Sequence, residues 1–383
     1  MAEAASIGEK LAAICKQFRL PGELVHWERL TGGKINATYR VDLRQGGELR
    51  RYLVQGVNKY VFPDPAAMME NVCRVTRHLR SKAPKDGRPG SLRYYPTAQG
   101  DGCLFSSRDG EAEFWRVCDF LANTVTMGPA EQTPRTLTML GRAFGAFTRQ
   151  LLDLDPAGMA ETIPRFHDTP YRLEVLARAA AEDPLGRAKE AGPELRLILD
   201  RRDRAGTLRR QLAQGRLPLR VTHNDTKPAN VLLDRDTLEP AAVIDLDTCM
   251  PGLTAYDFGD SIRSGACRRE TGGRRLDLDL VRAYAEGYLG ETAGLLTPAE
   301  EDALADGAAV VTLELAARYL TDHLTGDRYF SAHYPGHNLD RAREQLGLFR
   351  EMEDHGEELR AVIRESGPAS GSRAPTQKSA DSL

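Results

Sequence analysis

The fold of this chain is decided by the segment His223-Asn224-Asp225-Thr226-Lys227-Pro228-Ala229-Asn230 and by Val243-Ile244-Asp245-Leu246-Asp247, which follows it. The first segment is a polar loop that ends in an apolar run. The second is the end of another apolar run, and a turn separates the two runs. Two paired strands joined by that turn would bring Asn230 and Asp245 to the same edge. The pattern therefore predicts one compact polar site.

The residue types in this site favour phosphoryl transfer. Asp225 offers a carboxylate that can take a proton from an attacking hydroxyl, and Lys227 offers a cation for the transferring phosphoryl group. Asn230 and Asp245 offer oxygen ligands of the kind that Mg²⁺ prefers. Each residue alone is also common in ordinary turns. The combined spacing is more specific, and it predicts a phosphotransferase site.

Composition excludes several other classes of function. The 383 residues allow two or three domains, and the net charge is −3. Without a basic excess, we expect no nucleic acid and no membrane surface as partner. The six cysteines form no C-x-x-C pair, which is typical of a reduced protein. With no signal-like N-terminus and no apolar run of membrane-spanning length, the sequence predicts a cytoplasmic protein.

The N-terminal third predicts a small α+β region. Ser6 is a candidate N-cap for a first helix, and Asp64 with Pro65 marks the start of another. Between and after these helices, alternation and turn signals predict strands at 24–30, 37–43, 49–55, 102–106 and 113–120.

Beyond residue 120 the pattern is mostly helical. Thr133-Pro134 predicts one helix start, Thr297-Pro298-Ala299-Glu300 predicts a capping box, and a later helix carries apolar residues from Val310 to Leu324. The only strands that we expect here flank the polar loop, at 219–222, 231–233 and 241–244. Residues 366–383 are rich in Ser, Pro, Gly and Ala, which predicts a disordered tail.

Several motifs resemble the aminoglycoside phosphotransferase family of the protein-kinase-like fold, and most of all its N-acetylhexosamine 1-kinase branch. The resemblance runs from about residue 18 to 364. Its motifs are 221–227, 244–248, 250–252, Tyr256-Asp257-Phe258-Gly259-Asp260-Ser261-Ile262-Arg263, Phe166-His167-Asp168-Thr169-Pro170 and the segment 334–339.

This resemblance implies a bilobal fold, with a small β-rich N-lobe and a larger, mostly helical C-lobe. The nucleotide-binding lobe would comprise residues 1–117, the hinge 118–122 and the catalytic and substrate lobe 123–365, before the tail at 366–383. It also implies ATP and Mg²⁺ as cofactors.

The resemblance implies roles for the polar residues as well. Asp225 would be the catalytic base, and Asn230 and Asp245 would bind Mg²⁺. Asp257 would brace the catalytic loop. Asp247 would support the metal ligands from behind or brace the loop, with direct metal binding as the alternative.

The residues expected to bind the nucleotide match the family pattern less closely. Thr31-Gly32-Gly33-Lys34 joins two strands, as a phosphate-covering loop would, although a Gly-Gly turn alone is an ordinary hairpin signal. Gln55 stands on the third strand where most kinases of this fold carry a lysine. By resemblance, Cys118, Asp119 and Phe120 would form the hinge that binds adenine.

The prediction of the site that binds the phosphate-accepting substrate depends on a few residues. Glu314 and Arg318 lie four apart on an apolar helix, which is also the spacing of a simple ion pair. In the sugar kinases that the chain resembles, a matching arginine contacts the hexose and a tyrosine matching Tyr329 lies nearby. Lys34 and Ser264 stand where those kinases carry histidine and phenylalanine, so the sugar preference can differ.

We therefore expect a kinase that transfers phosphate from ATP to the anomeric hydroxyl of an N-acetylhexosamine. The same chemistry on an aminoglycoside or amino alcohol is the alternative that Asp322 and Asp327 keep open, since a cationic acceptor needs acids. Gln55 leaves open a third reading, a nucleotide-binding pseudokinase. The sequence does not decide the sugar epimer, the purine or the oligomeric state.

Overall fold

The computed structural model describes residues 2–31, 35–82, 91–100, 102–107, 113–128, 131–270 and 273–367. In chain order, its first elements are α1 (Ala2–Lys16), β1 (Glu23–Leu30), β2 (Ala37–Gln45), β3 (Glu48–Val57), α2 (Pro65–Ser81), β4 (Phe105–Ser107), β5 (Glu113–Asp119) and β6 (Thr124–Val125).

Helices predominate from residue 134 onward, apart from short strands around the polar loop and one later hairpin. The elements are α3 (Pro134–Leu151), α4 (Thr169–Glu182), α5 (Gly192–Leu199), α6 (Arg202–Ala205), α7 (Thr207–Ala213), β7 (Arg220–Thr222), β8 (Val231–Asp234), β9 (Pro240–Val243), β10 (Met250–Gly252), α8 (Thr254–Gly265), β11 (Cys267–Glu270), β12 (Gly273–Leu276), α9 (Leu278–Thr292), α10 (Pro298–Thr325), α11 (His337–Asp354) and α12 (Gly356–Glu365).

The chain forms two compact units. The first unit contains residues 1–127, 150–167 and 219–253, and the second contains 128–149, 168–218 and 254–383. The predicted α+β architecture, with a sheet in the N-terminal region and helices in the C-terminal region, is confirmed. The lobe and hinge boundaries drawn from the sequence stay predictions. None of the helices in the described residues is long and apolar enough to cross a membrane.

The first unit is built on an antiparallel five-stranded sheet in the order β1-β2-β3-β5-β4. Alternate residues of β2 face inward, so that Tyr39, Val41 and Leu43 are buried. They pack with Val54 of β3, Trp115 of β5 and the buried face of α1. The predicted strands are found within a few residues of their expected bounds, because alternation is a local signal.

Both predicted helix caps with a proline are present. Asp64 caps α2, accepting the backbone N–H of Ala67 at 3.0 Å. Thr297 and Glu300 form the capping box of α10. The Ser6 cap was wrong, because α1 already begins at Ala2 and Ser6 lies inside it.

The second unit is organised around α10, which packs against α4, α8 and α11. This helix has 28 residues and is about 42 Å long at the usual rise. The sequence predicted two helices here, one at the capping box and a later one, but the structure has a single helix. Gly307 lies within it because α8 approaches so closely that an added Cβ would stand 1.8 Å from the Ala255 carbonyl oxygen.

Strands also occur where none was expected. β11 and β12 form an antiparallel hairpin in which Arg268 faces Arg275 and Arg269 faces Arg274. Such a charged segment has no apolar alternation, so pattern reasoning cannot find it. The short strands β6 and β10 were also missed, and they pair with β8 and β7 respectively.

Candidate active site

The polar loop 223–230 is held by buried hydrogen bonds. Asn224 has a left-handed φ of 64°, a conformation that asparagine adopts more readily than most residues. Its Nδ2 donates to the carbonyl oxygens of Thr222 and Thr248 at 3.2 and 3.0 Å. Thr248 Oγ1 in turn donates to the His223 carbonyl oxygen at 2.7 Å. The loop therefore starts from a fixed backbone geometry.

His223 is buried beneath this loop and connects it to the following hairpin. Its Nε2 lies 2.9 Å from the carbonyl oxygen of Ile244, and its Nδ1 lies 3.3 Å from the backbone nitrogen of Asp225. A carbonyl accepts and a backbone N–H donates, so these contacts assign the proton to Nε2. With both nitrogens so engaged, His223 supports the loop.

Asp225 is the centre of a group of polar side chains. Lys227 Nζ lies 2.5 Å from Asp225 Oδ2, and Asn230 Nδ2 donates to the same oxygen at 3.1 Å. Burial alone would raise the pKa of Asp225, but the charge and hydrogen bond of Lys227, with help from Asn230, lower it below its ordinary value. Asp225 is therefore an ionised carboxylate at neutral pH, as a proton acceptor must be.

The hairpin brings Asn230 beside Asp245, as the sequence predicted. Val231 pairs with Val243, and the N–H of Ile244 donates to the Asn230 carbonyl oxygen at 2.9 Å. Asp245 has a left-handed φ of 62°. Its Oδ2 lies 3.8 Å from Lys227 Nζ, so Asp225, Lys227, Asn230 and Asp245 all belong to one group in the first unit.

The donors of this group fit a divalent cation that keeps other ligands. Asn230 turns its amide nitrogen to Asp225, so its amide oxygen faces away from that carboxylate. Desolvation, and then the charge of Asp247, raise the pKa of Asp245 to about 6, although 39% of its side chain is accessible. No cluster of three or more His, Cys, Asp or Glu suited to a metal occurs in the described residues, so phosphate oxygens and water would have to complete the coordination.

Asp247 is occupied by other partners. Arg116 of β5 makes two hydrogen bonds to its carboxylate, at 2.5 and 3.0 Å, and Asn36 Nδ2 makes a third at 2.7 Å. Both oxygens are therefore engaged and the side chain is buried. This geometry agrees with the expectation that Asp247 supports the site without binding the metal directly.

The predicted nucleotide residues divide into two groups. Gly32, Gly33 and Lys34 lie outside the described residues. In the candidate hinge, Cys118 is buried at the end of β5, where it pairs with Leu53 and bridges to Tyr94.

The other two hinge residues also have partners within the first unit. The Asp119 carboxylate accepts the Arg93 N–H at 3.0 Å and the Tyr95 hydroxyl at 2.8 Å. The ring of Phe120 lies 5.9 Å from the Arg40 guanidinium.

The predicted acceptor residues Arg318 and Tyr329 meet in the second unit. Arg318 Nη2 donates to the Tyr329 hydroxyl at 3.2 Å, and its guanidinium carbon lies 5.5 Å from the rings of Tyr329 and Phe330. Its ion-pair distance to the buried Glu314 is 4.0 Å, while Glu314 accepts the Thr169 hydroxyl at 2.8 Å. The aromatic rings and the carboxylate fix the orientation of the guanidinium.

Asp322 and Asp327 shape the segment that carries Tyr329. The carboxylate of Asp322 accepts the backbone N–H groups of Arg328, Tyr329 and Phe330 at 2.8–2.9 Å. Asp327 pairs with Arg187 at 2.8 Å. Asn338 Nδ2 donates to both aspartates, at 3.1 and 2.9 Å. Both carboxylates are therefore engaged in contacts that hold the loop 328–330 in place.

Sequence reasoning missed Arg116 and Arg172. Arg116 lies between the buried residues Trp115 and Val117, and its partner is 131 residues away, so no local signal marks it. Arg172 is one turn of α4 away from Thr169. Burial, and then the positive charge of Arg318, lower the pKa of Arg172 from its ordinary value.

The model of one protein family, described as a phosphotransferase enzyme family, matches residues 26–296. Solved structures also share the fold. A microcompartment-associated aminopropanol kinase is 16% identical, with a TM-score of 0.58 over 92% of this chain and 98% of its own. A choline kinase from Cryptosporidium parvum is 13% identical, with a TM-score of 0.55 over 91% and 97%. A spectinomycin phosphotransferase is 12% identical, with a TM-score of 0.53 over 94% and 98%.

Proposed function

Because the chain belongs to the phosphotransferase enzyme family, we propose that it is an ATP- and Mg²⁺-dependent kinase that phosphorylates the anomeric hydroxyl of free N-acetylhexosamines. The products would be the sugar 1-phosphate and ADP. The choice of a sugar as phosphate acceptor rests on the surroundings of Arg318. They offer hydrogen-bond donors and aromatic faces, and few acids there are available to bind a cation.

The chemistry begins at Asp225. Its ionised carboxylate accepts the proton of the acceptor hydroxyl while that oxygen forms a bond to the γ-phosphorus, and the bond to the ADP oxygen breaks. Lys227, beside Asp225, offsets the negative charge of the transferring group. Asn230 and Asp245 would hold Mg²⁺, which supplies charge neutralisation on the phosphates when it is bound.

The cluster of Arg318, Tyr329 and Phe330 suits a neutral, hydroxylated ligand. Arg318 presents a rigid fork of donors, which can serve ring hydroxyls and the N-acetyl oxygen of a sugar. The adjacent rings of Tyr329 and Phe330 offer apolar faces to the C–H surface of a pyranose. Tyr329 is 52% exposed and therefore accessible to a ligand.

A cationic acceptor is the second candidate, since the similar structures include kinases whose names specify choline and aminopropanol. Their identity of 16% or less carries only the fold. The two aspartates that kept this candidate open, Asp322 and Asp327, are engaged in bracing the loop 328–330. Arg318 adds a positive charge 4.0 Å from Glu314, which would repel an ammonium group.

An inactive, nucleotide-binding protein is the third candidate, motivated by Gln55. The grouping of Asp225, Lys227, Asn230 and Asp245 argues against it, because a protein without turnover does not require a carboxylate, a cation and two further oxygen donors in one place. Gln55 lies on β3, outside this group.

A screen for ATP consumption with free acceptors tests the proposal. N-acetylglucosamine, N-acetylgalactosamine, glucose and galactose are compared with choline, ethanolamine, aminopropanol and spectinomycin. Methyl glycosides of the same sugars are the matched controls, because their anomeric oxygen has no proton to lose. We expect turnover with a free N-acetylhexosamine and none with its methyl glycoside. Turnover only with the amines would establish the second candidate instead.

A further inference from the structure

Among the described residues of the first unit, β3 and α2 do not form the ion pair that joins the sheet to the helix in protein kinases. There, a lysine of the third strand pairs with a glutamate of the helix that follows. Here β3 carries Gln55, and the only acidic residue of α2 is the exposed Glu70. Met68 and Met69 occupy the buried face of α2 instead.

A buried charge pair nevertheless exists next to Gln55. Arg116, on the neighbouring strand β5, has 1% of its side chain accessible, and Asp247 has 2%. Arg116 Nε donates to Gln55 Oε1 at 3.0 Å, while Nη1 and Nη2 donate to the two oxygens of Asp247. A bidentate arginine–carboxylate pair of this kind fixes both distance and orientation.

The pair also reaches the start of β2. Asn36 Nδ2 donates to Asp247 Oδ2 at 2.7 Å, and Asn36 Oδ1 accepts the backbone N–H of Asn58 at 3.0 Å. Gln55 Nε2 donates to Thr38 Oγ1 at 3.1 Å. Residues at the start of β2, on β3 and on β5 are thus linked by these contacts to Asp247. Asp247 lies two residues after Asp245.

Burial of two opposite charges is a weak source of stability, since apolar residues of similar volume are often as good. The distinctive property of such a pair is its fixed geometry, and here that geometry is imposed on the segment that carries a metal ligand. Partners that orient a ligand from behind control metal affinity in many proteins.

We propose that the Arg116–Asp247 pair replaces the missing lysine–glutamate pair, and that Arg116 is a positioning residue that fixes Asp245 for the metal-bound nucleotide. The phosphates would then be held through the metal, with no direct contact from the buried Arg116. This inference rests on the proposed role of Asp245 as a metal ligand.

Calorimetric binding of a non-hydrolysable ATP analogue tests this without any acceptor. Each protein is titrated in Mg²⁺ and in EDTA, and its thermal unfolding midpoint is measured. The variants are Arg116→Met, Arg116→Lys, Asp247→Asn and the double variant Arg116→Met/Asp247→Leu. Arg201→Met is the matched control, because Arg201 makes two hydrogen bonds to Glu353 in the second unit.

We expect Arg116→Met and Asp247→Asn to lose at least about tenfold in affinity with Mg²⁺ and less than about twofold in EDTA. Arg116→Lys should lie between them and the wild type, since it keeps the charge but not the fork. The double variant, which leaves no unpaired charge, should recover the unfolding midpoint but not the Mg²⁺-dependent affinity. Arg201→Met should bind as the wild type does.

A double variant that recovers both the midpoint and the Mg²⁺-dependent affinity would overturn the inference, because the pair would then be structural only. Folded single variants with the full Mg²⁺ effect would do the same. If the wild type itself gained no affinity from Mg²⁺, the proposed metal-dependent function would fail together with the inference. A Mg²⁺ effect that is present in the wild type and fully kept in the variants would remove the inference alone, so the two failures are distinguishable.

Discussion

The backbone N–H of Ile244 donates to the carbonyl oxygen of Asn230, and this 2.9 Å hydrogen bond closes the hairpin at the point where the polar site begins. It places Asp245, the next residue, beside Asn230. The two proposed oxygen ligands, 15 residues apart in the chain, thereby lie at the adjacent ends of two paired strands, β8 and β9. Rigid strands hold such ligands better than free loops do.

Asp245→Asn should therefore weaken the response to Mg²⁺ while leaving the hairpin intact. The amide keeps an oxygen but loses the charge, so the Mg²⁺ concentration for half-maximal activity should rise at least about tenfold. A titration of ATP consumption against Mg²⁺ measures this. Asp354→Asn, at an exposed aspartate ending α11, is the control and should respond normally. An unchanged Mg²⁺ response in Asp245→Asn would contradict the metal role.

Asp225→Asn should abolish turnover without abolishing nucleotide binding. The amide cannot accept the proton of the attacking hydroxyl, and loss of a general base typically costs about 10²–10⁴ in rate. The measurements are kcat for ATP consumption and the dissociation constant of ADP. A variant that turns over at the wild-type rate would exclude Asp225 as the base.

Arg318→Met should affect the acceptor and not the nucleotide. A hydrogen bond to a charged group is worth about 1.5–3 kcal/mol, so KM for the acceptor should rise roughly 10- to 100-fold. KM for ATP should stay near the wild-type value, which makes it the internal control. Equal effects on both constants would indicate that Arg318 stabilises the fold of the second unit and does not contact the sugar.

Gly307→Ala should strongly destabilise the second unit, because the new methyl group would overlap the Ala255 carbonyl oxygen. Backbone atoms cannot move aside easily, so we expect a loss of about 3 kcal/mol in the free energy of unfolding. Gly347→Ala is the control: Gly347 is exposed on α11 and nothing lies within 4 Å of the added carbon. That variant should gain about 0.5–1 kcal/mol. Chemical denaturation of both proteins checks the difference.

The buried His323 should make the protein less stable in weak acid. Neither ring nitrogen has a hydrogen-bond partner among the described residues, and burial, followed by the charge of Arg187, lowers the pKa of the ring. Below the ordinary value of about 6.5 the unfolded chain takes up a proton that the folded chain refuses, so stability falls as the pH falls. From pH 7.5 to 5, the melting temperature of the wild type should fall relative to that of His323→Leu. Parallel curves would contradict this.

Local signals explain what the sequence predicted well. Asp64 before Pro65 and Thr297 before Glu300 are caps whose hydrogen bonds form within four residues, and both were found. The grouping of Asp225, Lys227, Asn230 and Asp245 was predictable because they lie within 21 residues and one hairpin joins them, whereas their chemical roles stay predictions.

Long-range partners explain what the sequence could not provide. Arg116 was invisible because its role depends on Asp247, 131 residues away. The acids Asp322 and Asp327 were interpreted as available for a cationic ligand, but Asn338 and three backbone N–H groups engage them. A carboxylate in a sequence carries no sign of whether tertiary contacts have already satisfied it.

The left-handed backbone at Asp245 has a consequence for how this position can vary. Aspartate, asparagine and glycine adopt such a φ with little strain, whereas longer and branched side chains do so rarely. Glutamate preserves the charge but strains the backbone here, whereas asparagine tolerates the backbone conformation but discards the charge. Conformation thus restricts mutational drift at this site in addition to electrostatics, and ordinary substitution scores, which treat Asp and Glu as near equivalents, would overlook that restriction.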